Sequence, residues 1–400
     1  MEQLFNNNRW AVLILQIKRE KIMAVQKTKK AGGAGLRGQS AGETKLCTVG
    51  VSGSGLTYNG YDVADLAENT TFYETAYLIF HGELPNQTQL QEYSAKIMAN
   101  RDLPEALKAT LEMIPKDTHP MDVMRTGCSM LGNLEPEMDF SQQQDAADRL
   151  LGAFPSIICY WYKFTHEGVR IETALDDDSI GGHFLHMLRG EKPNTLHARV
   201  MDVSLILYAE HEFNASTFTG RVVASTLSDM YSCVTAAVGA LRGPLHGGAN
   251  EAAMAMLSQW KSVDEAIAGI DDMLATKQLI MGFGHAVYTE SDPRNALIKR
   301  WSKELSEDVG DECLYDVSCA VEKKLWDEKN IFPNADFFHA SAYHFMDIPT
   351  KLFTPIFVCS RITGWAAHVM EQRANNRIIR PNADYVGVGP RKVTPISQRA

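Results

Sequence analysis

Two histidines and one aspartate, each set among turn-forming residues, are the side chains of this sequence whose types and spacing could do chemistry. His246 stands between Gly243-Pro244 and Gly247-Gly248 in residues 241–250. His285 follows Gly282-Phe283-Gly284 in residues 281–288, shortly before Asp292-Pro293-Arg294. Asp336 closes the run Phe332-Pro333-Asn334-Ala335-Asp336 and precedes Phe337-Phe338, which offers it an apolar lining. Gly and Pro break regular structure, so the spacing predicts His246 at the start of a helix running from about Ala249. Backbone N–H groups there are unpaired and carry positive potential. That setting keeps an imidazole neutral and lets it donate a hydrogen bond to a developing oxyanion. Together the three segments suggest a site assembled from loop ends.

Each residue also has a plainer reading when taken alone. Asp336 could be the N-cap of the helix that follows it, where Asp is favoured. A single histidine in a glycine-rich turn is more often structural, and a single arginine more often belongs to a salt bridge. Asp176-Asp177-Asp178 followed by His183 and His186 could hold a metal on one helix face. That set matches no standard ligand spacing, and a solvated acidic helix start is the expected reading. Neither His246 nor His285 has a second His or Cys at ligand spacing, so no metal is expected at the site. Met254, Met256, Met273 and Met281 read as core packing.

The elements that must position these residues are mainly helical. Residues 50–60 are glycine-rich and read as a short hairpin. Residues 62–81 carry apolar side chains at helical spacing. Residues 148–164 are apolar on nearly all sides and read as a buried helix kinked at Pro155. Residues 196–241 read as two helices, divided by polar residues near His211 and Gly220. Residues 262–279, 295–309 and 314–329 are amphipathic, and residues 351–372 suggest a core or interface helix. No internal repeat is present. The expected fold is mostly α.

The chain has 400 residues, 45% hydrophobic and 22% charged, which is ordinary for a globular protein able to bury a large core. A net charge of −10 leaves no basic excess for nucleic acid, so any bound anion must be met by locally gathered arginines. Seven cysteines, an odd count with no C-x-x-C, fit a reducing compartment and point to the cytoplasm. Cys159, Cys233 and Cys359 lie in apolar runs and read as buried thiols. The apolar run from Trp10 to Leu15 is too short to span a membrane, and no membrane association is expected. Residues 1–34 read as a disordered N-terminal extension, with Met23 as an alternative start.

The motifs around His246, His285 and Asp336, in that order, resemble the citrate synthase family. His211-Glu212-Phe213-Asn214-Ala215-Ser216-Thr217, Ile348-Pro349-Thr350-Lys351-Leu352-Phe353-Thr354-Pro355, Glu371-Gln372-Arg373, Arg380-Pro381 and Tyr385-Val386-Gly387 bring the chain closer to its 2-methylcitrate-forming branch. The resemblance runs from about Gly35 to the C-terminus. It implies a large helical domain (residues 35–245 and 342–400) and a smaller helical domain (residues 246–341), with the active site in the cleft between them. It implies condensation of an acyl-CoA with oxaloacetate, then hydrolysis of the thioester. Propionyl-CoA is the expected substrate and acetyl-CoA the alternative. The two differ by one methylene, worth only about 1–3 kcal/mol in a pocket.

By the same resemblance Asp336 is the catalytic base, His246 holds the thioester oxygen, and His285 donates to the oxaloacetate carbonyl. His211, Arg294, Arg361 and Arg380 bind oxaloacetate, Arg380 reaching in from the partner of a homodimer. Ile280, Met281, Gly282, Phe283 and Gly284 lie along coenzyme A, which is a substrate; no tightly bound cofactor is implied. Asn59 and Thr289 replace arginines that many members use near the CoA phosphates, and Lys351 and Lys277 are candidate substitutes. Two other classes compete: a non-catalytic acyl-CoA-binding member of the fold, opposed by the intact His246, His285 and Asp336, and a metal hydrolase built on His183 and His186.

Overall fold

The computed structural model describes residue 36 and residues 38–51 and 55–399. The expected extension, residues 1–34, lies outside them. Contacts divide the chain into Met1–Glu43 and Thr44–Ala400. In the first unit the described residues form one turn, in which the Gln39 N–H meets the Leu36 carbonyl. The second unit carries all of the named elements.

A small antiparallel sheet opens it: β1 (Cys47–Val51), β2 (Gly55–Tyr58) and β3 (Tyr61–Asp62), with Cys47 opposite Tyr58. Among the described residues, the elements after it are helices, as expected. First come α1 (Val63–Asn69), α2 (Phe72–His81), α3 (Gln87–Ala99), α4 (Glu105–Glu112), α5 (Pro120–Leu134) and α6 (Gln143–Glu167). Next are α7 (Ile180–Arg189), α8 (Thr195–Tyr208), α9 (Ala215–Ala224), α10 (Met230–Leu241) and α11 (Ala249–Leu257). The last are α12 (Val263–Ala275), α13 (Pro293–Val309), α14 (Cys313–Lys329), α15 (Ala335–Phe345) and α16 (Phe353–Ala374).

Two expected helical stretches are divided differently. The pattern over residues 62–81 breaks at Thr70-Thr71, because Thr71 and Glu74 form a reciprocal capping box that starts α2 afresh. Residues 196–241 hold three helices. Gly220 lies inside α9, and the second break falls before Asp229, whose carboxylate caps α10 by accepting from the Ser232 N–H. Helix α6 runs through Pro155 and is buried over most of its length. Asp177 accepts from His186 (2.9 Å) and from His183 (3.3 Å), beside the Ser179-capped start of α7. Both imidazoles thus pair with Asp177, and among the described residues no group of three or more His, Cys, Asp or Glu is arranged to hold a metal.

Helix α16 is the centre of the fold, buried from Phe353 to Val369. Three of its polar side chains share one task. The last carbonyls of a helix have no partner within it. Those at the end of α8 are met from outside: Ser360 donates to Leu205 (2.5 Å), Tyr58 to Ile206 (3.0 Å), Arg361 Nε to Tyr208 (2.6 Å) and Thr363 to Ala209 (3.3 Å). Gly364 makes the approach possible, since a Cβ there would lie 2.6 Å from the Ala209 carbonyl oxygen and 2.1 Å from Glu210 Oε2. The chain leaving α8 is therefore fixed just before His211. After α16, residues 375–399 run without α-helix or strand and mostly exposed, with Ile378, Tyr385, Val386, Val388, Val393 and Ile396 in solvent.

Candidate active site

His246 lies in the turn before α11, as its neighbours require. Its partner is a different helix from the one expected. Nε2 accepts the Ser216 N–H (3.2 Å) and lies 2.8 Å from Ser216 Oγ, in the first turn of α9, which Asn214 caps. The positive helix end facing this imidazole thus belongs to α9, not to α11. A nitrogen that accepts carries no proton, so in the neutral ring the proton sits on Nδ1 and is available for donation. Burial, with Arg361 adding to it, lowers the His246 pKa to about 4. The ring is neutral at pH 7. Trp365 Nε1 donates to Ser216 Oγ (3.0 Å) and completes the support.

His285 is fixed in the opposite tautomer. Its Nδ1 accepts the N–H groups of Val287 (3.0 Å) and Tyr288 (3.1 Å), which leaves the proton on Nε2. The ring lies 5.1 Å from the His211 ring and 4.4 Å from the Tyr288 ring, centroid to centroid. His211 is buried, and burial together with Arg294 and Arg361 holds its pKa well below the ordinary value. Its Nε2 lies 3.0 Å from the Tyr288 hydroxyl.

Asp336 is not a cap. Asn334 takes that role for α15 by accepting the Asp336 N–H at 3.0 Å, so the Asp336 carboxylate is left for other work. It accepts from the Tyr208 hydroxyl at 2.6 Å. Burial raises its pKa above the usual carboxylate value, against the pull of Tyr208, Arg294 and Arg361. The segment holding it is joined to residues 282–284. Phe283 bridges Pro333, the Gly284 N–H meets the Phe332 carbonyl and the Asn334 N–H meets the Gly282 carbonyl, both at 2.8 Å. Gly282 has a φ of +83°, and a Cβ there would press on Phe337 at 3.0 Å. Ile280, Met281 and Phe283 flank this junction half-buried.

The arginines divide into three kinds. Arg294 forms a buried two-point pair with Asp292 (2.9 and 2.7 Å), and Asp292 outweighs the effect of burial to keep it firmly charged. Arg361 is 1% exposed, lies on the Phe357 ring (4.5 Å to its centroid) and forms no salt bridge among the described residues. Burial lowers its pKa, with Glu210 opposing. A buried guanidinium without a paired carboxylate is costly unless an anion joins it. Arg380 is exposed in the C-terminal segment and donates to Asn382 at 3.1 Å, away from these residues. Lys351 meets His166 and sits over the Tyr162 ring. Lys277 and Thr289 are exposed, and Asn59 holds the β2–β3 turn with a φ of +47°.

Several residues of the site had no motif to betray them. Phe357 touches the Tyr208 ring (4.5 Å) and lies 6.5 Å from the His246 ring, so it reaches from the partner of Asp336 to that imidazole. Tyr208 and Trp365 likewise support the site from helices, whereas Ser216 and Tyr288 lie within residues 211–217 and 281–288 but were not singled out there. Glu210, beside His211, is buried and paired with His368 (2.7 Å), while its Oε1 also accepts the Glu212 N–H (2.7 Å). Two neutral imidazoles with opposite protons, one desolvated carboxylate and two buried guanidiniums form an arrangement suited to removing a weakly acidic C–H proton and stabilising the oxyanions that follow.

The sequence matches the model of the citrate synthase C-terminal domain over residues 35–382. It is 70% identical over 371 residues to the 2-methylcitrate synthase of Shewanella oneidensis, covering 93% of this chain and 99% of that one. It is 42% identical over 349 residues to citrate synthase 2 of Bacillus subtilis, covering 86% and 94%. Among solved structures it resembles the ternary complex of carboxymethyl coenzyme A and oxaloacetate with citrate synthase from the archaeon Thermoplasma acidophilum. That likeness has a TM-score of 0.84 at 32% identity, over 91% of this chain and 98% of that one.

Proposed function

The chain belongs to the citrate synthase family, and within it we propose a 2-methylcitrate synthase that joins propionyl-CoA to oxaloacetate and hydrolyses the thioester, releasing 2-methylcitrate and coenzyme A. The observation that carries the choice of acyl group is the 70% identity with the Shewanella enzyme, against 42% with citrate synthase 2 of Bacillus subtilis. Acetyl-CoA is the second substrate, since one methylene discriminates weakly.

In this reading Asp336 removes a proton from the carbon next to the thioester, its raised pKa matching the task. The Nδ1–H of His246 donates to the thioester oxygen as negative charge grows there. The carbon then attacks the oxaloacetate carbonyl, whose oxygen takes a hydrogen bond from Nε2–H of His285. Arg361, with Arg294 and His211, holds the oxaloacetate carboxylates, for which a planar guanidinium fork is suited. Coenzyme A lies along residues 280–284. Residues 246–341 form the small domain and supply His246, His285, Arg294 and Asp336.

Arg380 completes the site from a second copy of the chain. The exposed apolar side chains of residues 378–396 support this, because a free surface of that kind is unfavourable until covered. The test uses two variants that are each expected to be inactive, Asp336→Asn and Arg380→Ala. After subunit exchange, a mixed dimer has one site with both residues intact. The mixture should recover up to about a quarter of wild-type activity, the statistical share for a two-fold dimer. Activity no greater than that of the separate variants would remove Arg380 from the partner's site.

A further inference from the structure

We propose that Tyr288 is a positioning residue that holds the imidazoles of His211 and His285 against each other. Three separate contacts carry this. The hydroxyl lies 3.0 Å from His211 Nε2. The ring lies 4.4 Å from the His285 ring at 34°, and at 87° to the His211 ring. The backbone N–H donates to His285 Nδ1 at 3.1 Å. One residue therefore sets the orientation of one imidazole through its hydroxyl. It sets that of the other through its ring and main chain.

The placement is buried. Tyr288 is 2% exposed, and Arg294 stands 5.9 Å from its ring centroid. A buried tyrosine hydroxyl needs a hydrogen-bond partner. Here the hydroxyl reaches a buried imidazole across 77 residues of sequence. The proposal rests on the reading of His211 as an oxaloacetate ligand and His285 as the carbonyl donor.

The two contacts separate by substitution. Tyr288→Phe keeps the ring on His285 and the main-chain donor, and loses only the hydroxyl at His211. It should raise the oxaloacetate KM about tenfold, leave kcat within about threefold, and leave the propionyl-CoA KM and the Tm unchanged. Tyr288→Leu also removes the ring and should lower kcat by a further factor of about thirty. Because Tyr288 acts through His211, adding Tyr288→Phe to His211→Ala should raise the oxaloacetate KM no further. An unchanged KM in Tyr288→Phe beside a raised KM in His211→Ala overturns the proposal alone. An unchanged KM in His211→Ala overturns the site reading, and the proposal falls with it. A Tyr288→Phe protein with equal losses in both KM values and in Tm marks a purely structural tyrosine and overturns the proposal as well.

Discussion

Asp336→Asn is expected to lower kcat about 10³-fold, near the middle of what a positioned general base contributes. The expected effect on stability has the opposite sign. Burial lifts the pKa of Asp336 above its ordinary value, so at neutral pH the folded protein bears the cost of an ionised carboxylate away from water. Asparagine removes that cost, while its amide oxygen can still accept from Tyr208, which donates at 2.6 Å in the native protein. The Tm of Asp336→Asn at pH 7 should equal or exceed that of the wild type. The same shift sets the acid limb of kcat. Activity should fall as pH drops through a value above the usual carboxylate range, because protonation removes the base. A calorimetric scan and a pH–rate profile check both statements. A large loss of Tm beside the loss of activity would return Asp336 to a structural role.

Arg361→Met is expected to raise the oxaloacetate Kd by about 100-fold, or about 3 kcal/mol, the worth of two charge-assisted hydrogen bonds. Methionine keeps an unbranched stem against Phe357. It removes a buried positive charge that has no salt-bridge partner among the described residues. Stability should change little. The lost bond from Nε to the Tyr208 carbonyl is offset by relief of the desolvated charge. Titration calorimetry with oxaloacetate alone gives the binding term directly. An unchanged Kd would mean that the guanidinium serves the end of α8 and not the substrate. Arg294 makes a useful contrast. Its charge is already matched by Asp292, so its removal should disturb folding as well as binding.

The parts of this site that were legible in the sequence are those where local backbone geometry demands a residue type. Gly-Pro and Gly-Gly around His246 announce a turn, and the structure has one ending at α11. Phe-Pro-Asn before Asp336 announces a helix start. Sequence alone offered Asp336 as the cap, and the bond from the Asp336 N–H to Asn334 gives that role to Asn334 instead. The helix start in front of Ser216 has a similar signal, because Asn214 is a favoured cap. What could not be read was that this start faces His246, thirty residues further along the chain. Long-range partners leave no periodic trace: Tyr208 meets Asp336 across 128 residues, and Arg361 meets the Tyr208 carbonyl across 153. The misplaced helix breaks are of another kind. Thr71-x-x-Glu74 is a capping box in plain view, and Asp229 is an ordinary cap. In both places apolar spacing outweighed a cap signal that should have been decisive.

The most direct test of the central claim is thiol release from propionyl-CoA and from acetyl-CoA, each with oxaloacetate, compared as kcat/KM. Oxaloacetate-dependent release is expected from both, with propionyl-CoA preferred. Preference for acetyl-CoA would contradict the assignment to the 2-methylcitrate branch while leaving the roles of Asp336, His246 and His285 in place. Release from neither would contradict the condensation itself.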